Sequence, residues 1–208
     1  MNLGDIAAKI NECRKKSGYG HCPFGEQGVG KATHQVGTNN VILIVGEAPA
    51  TKGWWVTGRA FYGEKDNGCL KLLRSGKYLN DCLRLLHTKL EESYYLDAVK
   101  CRPDKSAWHP SWFVRQNCRR FLEEQIVSIR PLLVIPLGRV ATASCLEIRG
   151  EKIASSFKLE DVVGWPKEWE APWGKCWIIP LYFPSDQNNA LWPRNKDYLK
   201  RFMAEQVI

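Results

Sequence analysis

The chain of 208 residues is long enough for one domain with a continuous core, and too short for two ordinary domains with a linker. It has no run of about 18 apolar residues and does not begin with the basic and then apolar order of a signal peptide, so we expect a cytoplasmic protein without a membrane partner. A net charge of +8 favours a polyanionic partner, because Lys and Arg placed on phosphates release condensed counterions, although a merely basic surface explains it as well.

The spacing of apolar residues predicts the secondary structure in chain order. Helical spacing predicts helices over residues 5–16, 68–90, 113–129, 139–146 and 196–206. We expect Asp5 to cap the first of these helices and Gly76 to divide the second region into two helices. Short apolar runs predict strands over residues 41–45, 94–99, 132–137 and 177–182.

Strands and helices alternate along the chain, which predicts an α/β fold. We expect a three-layer αβα arrangement around a central, mostly parallel four-stranded sheet. A single domain over 1–208 is predicted, in which residues 1–40 form an N-terminal helix and a cysteine-bearing loop and residues 41–208 form the α/β core. In such sheets ligands bind beyond the carboxyl ends of the strands. Those ends are Val45, Val99, Leu137 and Tyr182.

Four segments at or just beyond these strand ends carry a family resemblance. They are Gly46-Glu47-Ala48-Pro49-Ala50, Thr57-Gly58-Arg59-Ala60-Phe61-Tyr62-Gly63-Glu64, Lys100-Cys101-Arg102-Pro103 and Tyr182-Phe183-Pro184-Ser185. In their order and placement they resemble the motifs of the uracil-DNA glycosylase superfamily, especially its iron-sulfur families 4 and 5. The resemblance implies a DNA partner and the hydrolytic removal of a flipped base, by an enzyme without lyase chemistry. We expect a monomer that uses no nucleotide cofactor.

Two carboxylates are candidates for the catalytic group. A glycosylase needs a carboxylate near the sugar and a water molecule while the glycosidic bond breaks. By resemblance, Glu47 stands in the Gly-Glu-Ala-Pro run of family 4, and Glu64 stands where family 5 enzymes have an Asp. Each is also explained as a solvated loop carboxylate. The sequence leaves the choice open and favours Glu47 slightly, because it lies nearest to the sheet edge.

The candidate base-binding residues are Phe61, Ala48, Asp97 and Phe183. The resemblance makes Phe61 the platform on which the flipped base stacks. Asp97 stands where family 4 has a base-reading Asn, and an ionised Asp only accepts hydrogen bonds, which makes cytosine or a modified cytosine a candidate beside uracil. The alternative is that Asp97 caps a helix or pairs with a nearby Lys.

Phe183 departs from the family, which has at this position a His that donates to the departing base. Phenylalanine neither donates nor accepts hydrogen bonds. The alternative function is therefore a catalytically weak or inactive module that binds damaged or modified DNA.

The segment after the fourth strand resembles the family loop that enters the minor groove. It implies that Leu191 or Trp192 is the wedge that fills the gap left by the flipped base. The other candidate DNA contacts are Ser185, Asn188 and Arg194.

Eight cysteines in an intracellular chain point to a metal or cluster site plus buried thiols, since that compartment keeps thiols reduced. Four of them are placed as the family places its cluster ligands: Cys13, Cys22, Cys101 and Cys118. The resemblance implies a structural 4Fe-4S cluster, and four thiolates also suit zinc. The others are expected to be buried thiols: Cys69, Cys82, Cys145 and Cys176.

Overall fold

The structure is a computed structural model that describes residues 2–15, 34–38, 41–49, 57–64, 68–101 and 112–205. Its helices are α1 (Leu3–Lys15), α2 (Arg74–Leu83), α3 (Trp112–Ile129), α4 (Gly138–Ile148) and α5 (Trp192–Glu205). Its strands are β1 (Ile42–Gly46), β2 (Tyr62–Glu64), β3 (Leu70–Leu72), β4 (Tyr94–Asp97), β5 (Leu133–Pro136), β6 (Lys167–Ala171) and β7 (Gly174–Ile178). Single 3-10 turns cover Arg84–Leu86, Leu159–Asp161 and Asp186–Asn188.

The central sheet has the strand order β4-β1-β5-β7-β6. The first four strands are parallel, and β6 pairs antiparallel with β7 at the edge. The predicted α/β class and mostly parallel sheet are therefore confirmed, with five strands instead of four. The extra strand is an edge strand with alternating burial, in which Trp169 and Ala171 point inward between charged residues. A search for continuous apolar runs misses such a strand.

Helices cover both faces of this sheet and bury two separate apolar clusters. On one face α2 and α5 contribute Leu79, Leu83, Leu199 and Phe202, which pack on Ile44 and Ile135. On the other face α3 and α4 contribute Leu122, Ile126, Ala141 and Leu146, which pack on Leu43, Val45 and Leu96. Strand β1 is buried along its whole length because it contributes to both clusters in alternation.

Helix α1 begins at Leu3, two residues earlier than the sequence predicts. The Oδ1 atom of Asn2 accepts a hydrogen bond from the Asp5 N–H at 2.9 Å, and the Asp5 carboxylate accepts in return from the Asn2 N–H at 3.4 Å. This reciprocal pair is a capping box, in which Asn2 is the cap and Asp5 the third helical residue. The prediction that Asp5 is itself the cap was therefore wrong.

The segment around Gly76 also differs from the prediction. Residues 70–72 form β3, which pairs antiparallel with β2, and Gly76 lies inside the single helix α2 instead of dividing two helices. A Cβ atom on Gly76 would lie 2.8 Å from the Cβ atom of Phe61 and 3.0 Å from its carbonyl oxygen. Glycine is needed here for a close approach between α2 and the loop that carries Phe61, not for a helix end.

Candidate functional site

The site lies at the carboxyl ends of β1 and β4, where Gly46 is in register with Asp97. Backbone pairing continues past both strands, because the Ala98 N–H donates to the Gly46 carbonyl at 2.8 Å and the Val99 N–H donates to the Glu47 carbonyl at 2.9 Å. The two chains therefore leave the sheet side by side. This register brings the carboxylate-bearing residues Glu47 and Asp97 to one edge of the sheet.

Tyr95 and Asp97 form a buried hydrogen-bonded pair over Gly46. The Tyr95 hydroxyl donates to the Oδ1 atom of Asp97 at 2.8 Å, and Asp97 is only 2% exposed. A Cβ atom at position 46 would lie 1.9 Å from the Tyr95 hydroxyl and 2.7 Å from that carboxylate oxygen. Only glycine fits there. The first motif therefore begins with Gly46 because the Tyr95–Asp97 pair occupies the space of a side chain.

The hydroxyl of Tyr95 stays protonated in this environment. Burial raises the pKa of Tyr95 well above its usual value, and the nearby negative charges of Asp97 and Glu47 add to the effect. Tyr95 is therefore a hydrogen-bond donor at neutral pH, and the charge of Glu47 acts within the same pocket.

Lys100 is buried beneath the same strand end. Its side chain is 2% exposed, and its Nζ atom donates a hydrogen bond to the main-chain carbonyl of Asp97. Its positive charge adds to burial in lowering the pKa of His34. This contact uses the main-chain oxygen of Asp97 and not its carboxylate, so it does not test the alternative that the Asp97 side chain pairs with a Lys.

Phe61 enters the pocket from the loop before β2, in the left-handed region with φ of 64°. Its carbonyl accepts a hydrogen bond from the Leu73 N–H at 2.9 Å, which fixes the loop to the start of α2. Its ring lies edge-on to Tyr95, with centroids 5.6 Å apart, and 6.0 Å from the Phe183 ring at a tilt of 34°. Three aromatic rings thus meet beside the two carboxylate-bearing residues.

Gln35 holds the Phe61 loop against β4. Its backbone forms two hydrogen bonds with Tyr95, at 2.9 and 3.1 Å. Its side-chain Oε1 atom accepts from the Ala60 N–H at 3.3 Å, and its Nε2 atom donates to the Leu90 carbonyl at 3.1 Å. Gln35 therefore joins three segments of chain directly behind the aromatic rings.

The two candidate catalytic carboxylates lie in different environments. Glu47 is half-buried just after β1, and Ala48, also half-buried, packs against the apolar cluster of Val99, Cys101, Val114 and Cys118. Glu64 is exposed on β2, at the point where this strand pairs with Leu70 of β3. The geometry therefore associates Glu47, and not Glu64, with the Tyr95–Asp97 pair.

Phe183 is presented by a turn that hydrogen bonds hold at several points. Asn195 of α5 is fully buried and pairs with the backbone of Tyr182 in both directions, with both hydrogen bonds at 3.0 Å. The Phe183 carbonyl accepts from the Ser185 N–H at 2.8 Å and from the Asn188 side-chain amide at 3.0 Å. Ser185 and Asn188, which the sequence suggests as phosphate contacts, thus also fix the backbone of this turn.

The remaining residues of the predicted DNA-contacting loop differ in how deeply they are buried. Trp192 is 5% exposed, and its ring packs against Tyr78 with centroids 5.5 Å apart. Its burial in the core counts against a role as a wedge. Leu191 is half-buried and Arg194 is exposed at the start of α5. Of the two wedge candidates, Leu191 is the one whose position suits contact with a ligand.

Three of the four predicted cluster cysteines lie in the described part of the chain, and Cys22 lies outside it. Cys101 and Cys118 belong to one apolar cluster, and the Lys100 N–H donates to the Cys118 sulfur at 3.5 Å. Cys13 packs against the cluster of Ile6, Ile10 and Phe121, and Phe121 follows Cys118 by one turn of α3. Among the described residues no group of three potential ligands converges. The neighbouring thiols of Cys101 and Cys118 and the N–H donor to the Cys118 sulfur fit a thiolate site. Such a site would need further ligands from outside the described residues.

The other cysteines divide by exposure. Burial raises the pKa of the Cys82 and Cys176 thiols to about 12 and that of Cys145 still further, as expected of buried thiols. Cys69 is exposed just before β3, so the prediction that it is buried was wrong. No helix in the described ranges is long and apolar enough to cross a membrane.

The model of the uracil DNA glycosylase superfamily matches residues 34–205. The chain belongs to this superfamily. It is 31% identical to the type-4 uracil-DNA glycosylase of Thermotoga maritima over 175 residues, which cover 83% of the chain and 78% of that relative. It is 33% identical to the type-5 enzyme of Pyrobaculum aerophilum over 60% of the chain and 56% of that relative, and 26% identical to the type-4 enzyme of Archaeoglobus fulgidus over 88% and 82%.

In this superfamily member the structure brings together Glu47, Phe61, Asp97 and Phe183, with Ala48 beside them. Sequence reasoning missed Tyr95, Gln35 and Asn195, which respectively bond Asp97, the Phe61 loop and the Phe183 turn. One signal was available for Tyr95, because residues two apart on a strand share a face and Asp97 is two residues on. Nothing local marks Gln35 or Asn195.

Proposed function

We propose that this protein is a DNA glycosylase that flips uracil out of DNA and hydrolyses its N-glycosidic bond. The observation that carries this proposal is the β1–β4 register, which brings Glu47 and Asp97 to one edge of the sheet, next to the Tyr95 ring on which Phe61 packs. The names of the type-4 and type-5 relatives support uracil as the base. The net charge of +8 suits a DNA partner.

Each pocket residue has a role in this proposal. The flipped base stacks on Phe61, and the edge of the base meets Asp97, with Ala48 beside it. Glu47 accepts a proton from the attacking water while the water oxygen bonds to C1′ and the C1′–N1 electron pair leaves with the base. Glu64, exposed on β2, has no role in this step.

Asp97 extends the candidate bases to cytosine and modified cytosines. Its Oδ1 atom is engaged by the Tyr95 hydroxyl, and a carboxylate presents acceptors only. An exocyclic amino group donates to such an acceptor, whereas uracil O4 is itself an acceptor and gains nothing from it. Cytosine and modified cytosines are therefore candidates beside uracil, because their amino group gains a hydrogen bond at this position that uracil O4 does not.

The turn after Phe183 is the proposed DNA-contacting loop. Leu191 is the proposed wedge, while Ser185, Asn188 and the exposed Arg194 meet the phosphate backbone. The backbone of this turn is held by Asn195 and Asn188, so the contacts are preorganised.

A 4Fe-4S cluster on Cys13, Cys22, Cys101 and Cys118 is the proposed cofactor. The packing of Cys101 with Cys118 and the N–H donor to the Cys118 sulfur support a thiolate site. Because α1, the end of β4 and α3 all contribute, we assign the cluster a structural role that ties the N-terminal region to the core. If the purified protein is colourless and contains zinc, the four cysteines bind zinc instead of the cluster.

Phe183 favours a second candidate, a glycosylase-like module that binds damaged or modified DNA without cleaving it. The side chain has no donor for the negative charge that develops on a departing uracil. One experiment separates the two functions. Purified protein is incubated with duplex and single-stranded oligonucleotides that carry uracil, cytosine or 5-methylcytosine, and abasic sites are revealed by alkali.

The expected result is strand breakage at uracil that is lost in Glu47→Gln and kept in Glu64→Gln. If no abasic site forms on any substrate while a mobility shift persists, the binding module replaces the enzyme. Release of uracil alone, with neither cytosine nor 5-methylcytosine attacked, refutes the role of Asp97 in selecting an amino group.

A further inference from the structure

The pocket is unusual in combining three aromatic rings with two carboxylate-bearing residues. We call Phe61, Tyr95 and Phe183 the aromatic box. Phe61 is 5.6 Å from Tyr95 and 6.0 Å from Phe183 between ring centroids. Asp97 is hydrogen-bonded to the Tyr95 hydroxyl, and the charge of Glu47 acts on that same hydroxyl.

The aromatic box is built on fixed backbone. Phe61 is held by the Leu73 N–H and by the close approach of Gly76, and Tyr95 is held within the sheet. The main chain of Phe183 is fixed by the neighbouring Asn195 and Asn188 contacts, while its side chain is half-buried. A flat base between two rings needs about 7 Å between them, from van der Waals contact near 3.5 Å on each side. The Phe183 ring, now 6.0 Å from Phe61 at a tilt of 34°, must both move outward by about 1 Å and turn parallel to Phe61 to provide that space.

The electrostatics of this pocket favour positive charge. The faces of aromatic rings are negative, and they attract a cation placed within about 6 Å of the centroid. The carboxylate of Asp97 adds to this field, and so does the Glu47 charge next to it. Lys100 directs its ammonium group to the main-chain carbonyl of Asp97, whereas Tyr95 donates to the Asp97 carboxylate.

The chemistry of the leaving group also favours a cationic base. A neutral base such as uracil departs with an extra electron pair and needs a donor to stabilise the negative charge. A base that is alkylated on a ring nitrogen without a proton, such as N3 of cytosine or N7 of guanine, carries a positive charge, so the same electron pair makes it neutral. A cationic base therefore needs no donor from position 183, where Phe183 offers only a ring face.

We propose that this site excises cationic, N-alkylated bases, and that Phe183 is the residue that favours them over uracil. The inference rests on the proposed glycosylase function and names a substrate class for that same site. In the step the water oxygen bonds to C1′, the C1′–N bond breaks, its electron pair neutralises the base, and the water proton passes to Glu47. Among pyrimidines N3-methylcytosine fits best, because its exocyclic nitrogen also faces Asp97.

The test measures base release from three duplexes that carry uracil, N3-methylcytosine or N7-methylguanine. Released bases are quantified by chromatography with mass detection. Strand breakage in alkali is not used, because alkali also breaks DNA at N-alkylated purines without the enzyme. The expected result is release of N3-methylcytosine with kcat/KM above that for uracil. Release of N7-methylguanine as well assigns the site to cationic bases in general, and its absence restricts the class to pyrimidines.

Three variants test the role of Phe183. Phe183→Leu removes the ring face and lowers the ratio of kcat/KM for N3-methylcytosine to that for uracil about tenfold. Phe183→Tyr keeps a ring face and keeps the ratio within about threefold. Phe183→His supplies a donor and raises uracil excision, so the ratio also falls. Thermal melting confirms that each variant is folded.

The outcomes separate this inference from the function on which it rests. Release of uracil without either cationic base overturns the inference and leaves the glycosylase function intact. A ratio unchanged in both Phe183→Leu and Phe183→His overturns the role of Phe183. If no base is released from any of the three duplexes, the glycosylase function fails and the inference fails with it.

Discussion

The replacement of Asn195 by alanine tests whether the Phe183 turn is held as the structure indicates. Asn195 is fully buried on α5, and its side-chain amide pairs with both the N–H and the carbonyl of Tyr182 at 3.0 Å. Tyr182 is itself buried, so water does not readily replace these partners. Alanine leaves one donor and one acceptor of the main chain without their hydrogen bonds.

The expected loss of stability follows from these two groups. A buried polar group left without a partner costs about 1–3 kcal/mol, so the pair predicts a loss of about 3 kcal/mol in the free energy of unfolding. For a chain of this length about 2–4 °C of melting temperature is lost per kcal/mol, which gives a shift of roughly 10 °C. Asn195→Asp keeps the acceptor but faces the Tyr182 carbonyl with a carboxylate, so we expect it to be no milder.

The assay is urea unfolding followed by circular dichroism, with thermal melting as a second measure. Lys200→Ala, an exposed position on the same helix, is the matched control and should change stability by less than about 0.5 kcal/mol. The rate of base excision, measured at temperatures well below the melting temperature, should also fall, because the turn that carries Phe183 loses its anchor. A shift in melting temperature of less than about 2 °C for Asn195→Ala would refute the reasoning.

Three other predictions concern the catalytic group, the core and the response to alkaline pH. Glu47→Gln should lower kcat by about a hundredfold or more with little change in melting temperature, and an equal loss in Glu64→Gln would reassign the base. Arg115→Met should cost about 3 kcal/mol in urea unfolding, because it breaks a buried two-bond pair with Glu147 at 2.8 Å, whereas Arg119→Met, which loses only a half-exposed 3.9 Å contact, should cost under about 1 kcal/mol. Burial and the hydrogen bond to Glu91 raise the pKa of Tyr62 to about 12, so the folded state holds its proton above pH 10, where the unfolded state loses it. Stability should therefore fall as pH rises from about 10 to 12, and Tyr62→Phe should flatten that fall in melting experiments at constant salt.

Local patterns in the sequence were sufficient for most of the fold. Continuous apolar runs identified β1, β4, β5 and the end of β7, and helical spacing identified α1, α3, α4 and α5, because burial on two faces or along one stripe leaves a periodic signal. The edge strand β6 escaped because half of its residues face solvent. Gly76 was misread because a glycine that permits close packing looks the same in sequence as one that ends a helix.

The sequence by itself predicted that Glu47 and Phe183 follow strands of one parallel sheet and that Asp97 lies near the end of a third strand, and hence at which edge the site lies. Only the tertiary structure decided their environment. Residues far apart in sequence, such as Gln35 with Ala60, are brought together by the register of the sheet and the packing of α2 and α5. It is likewise tertiary packing that sets the exposed Glu64 apart from Glu47, since burial depends on what the rest of the chain places over each carboxylate.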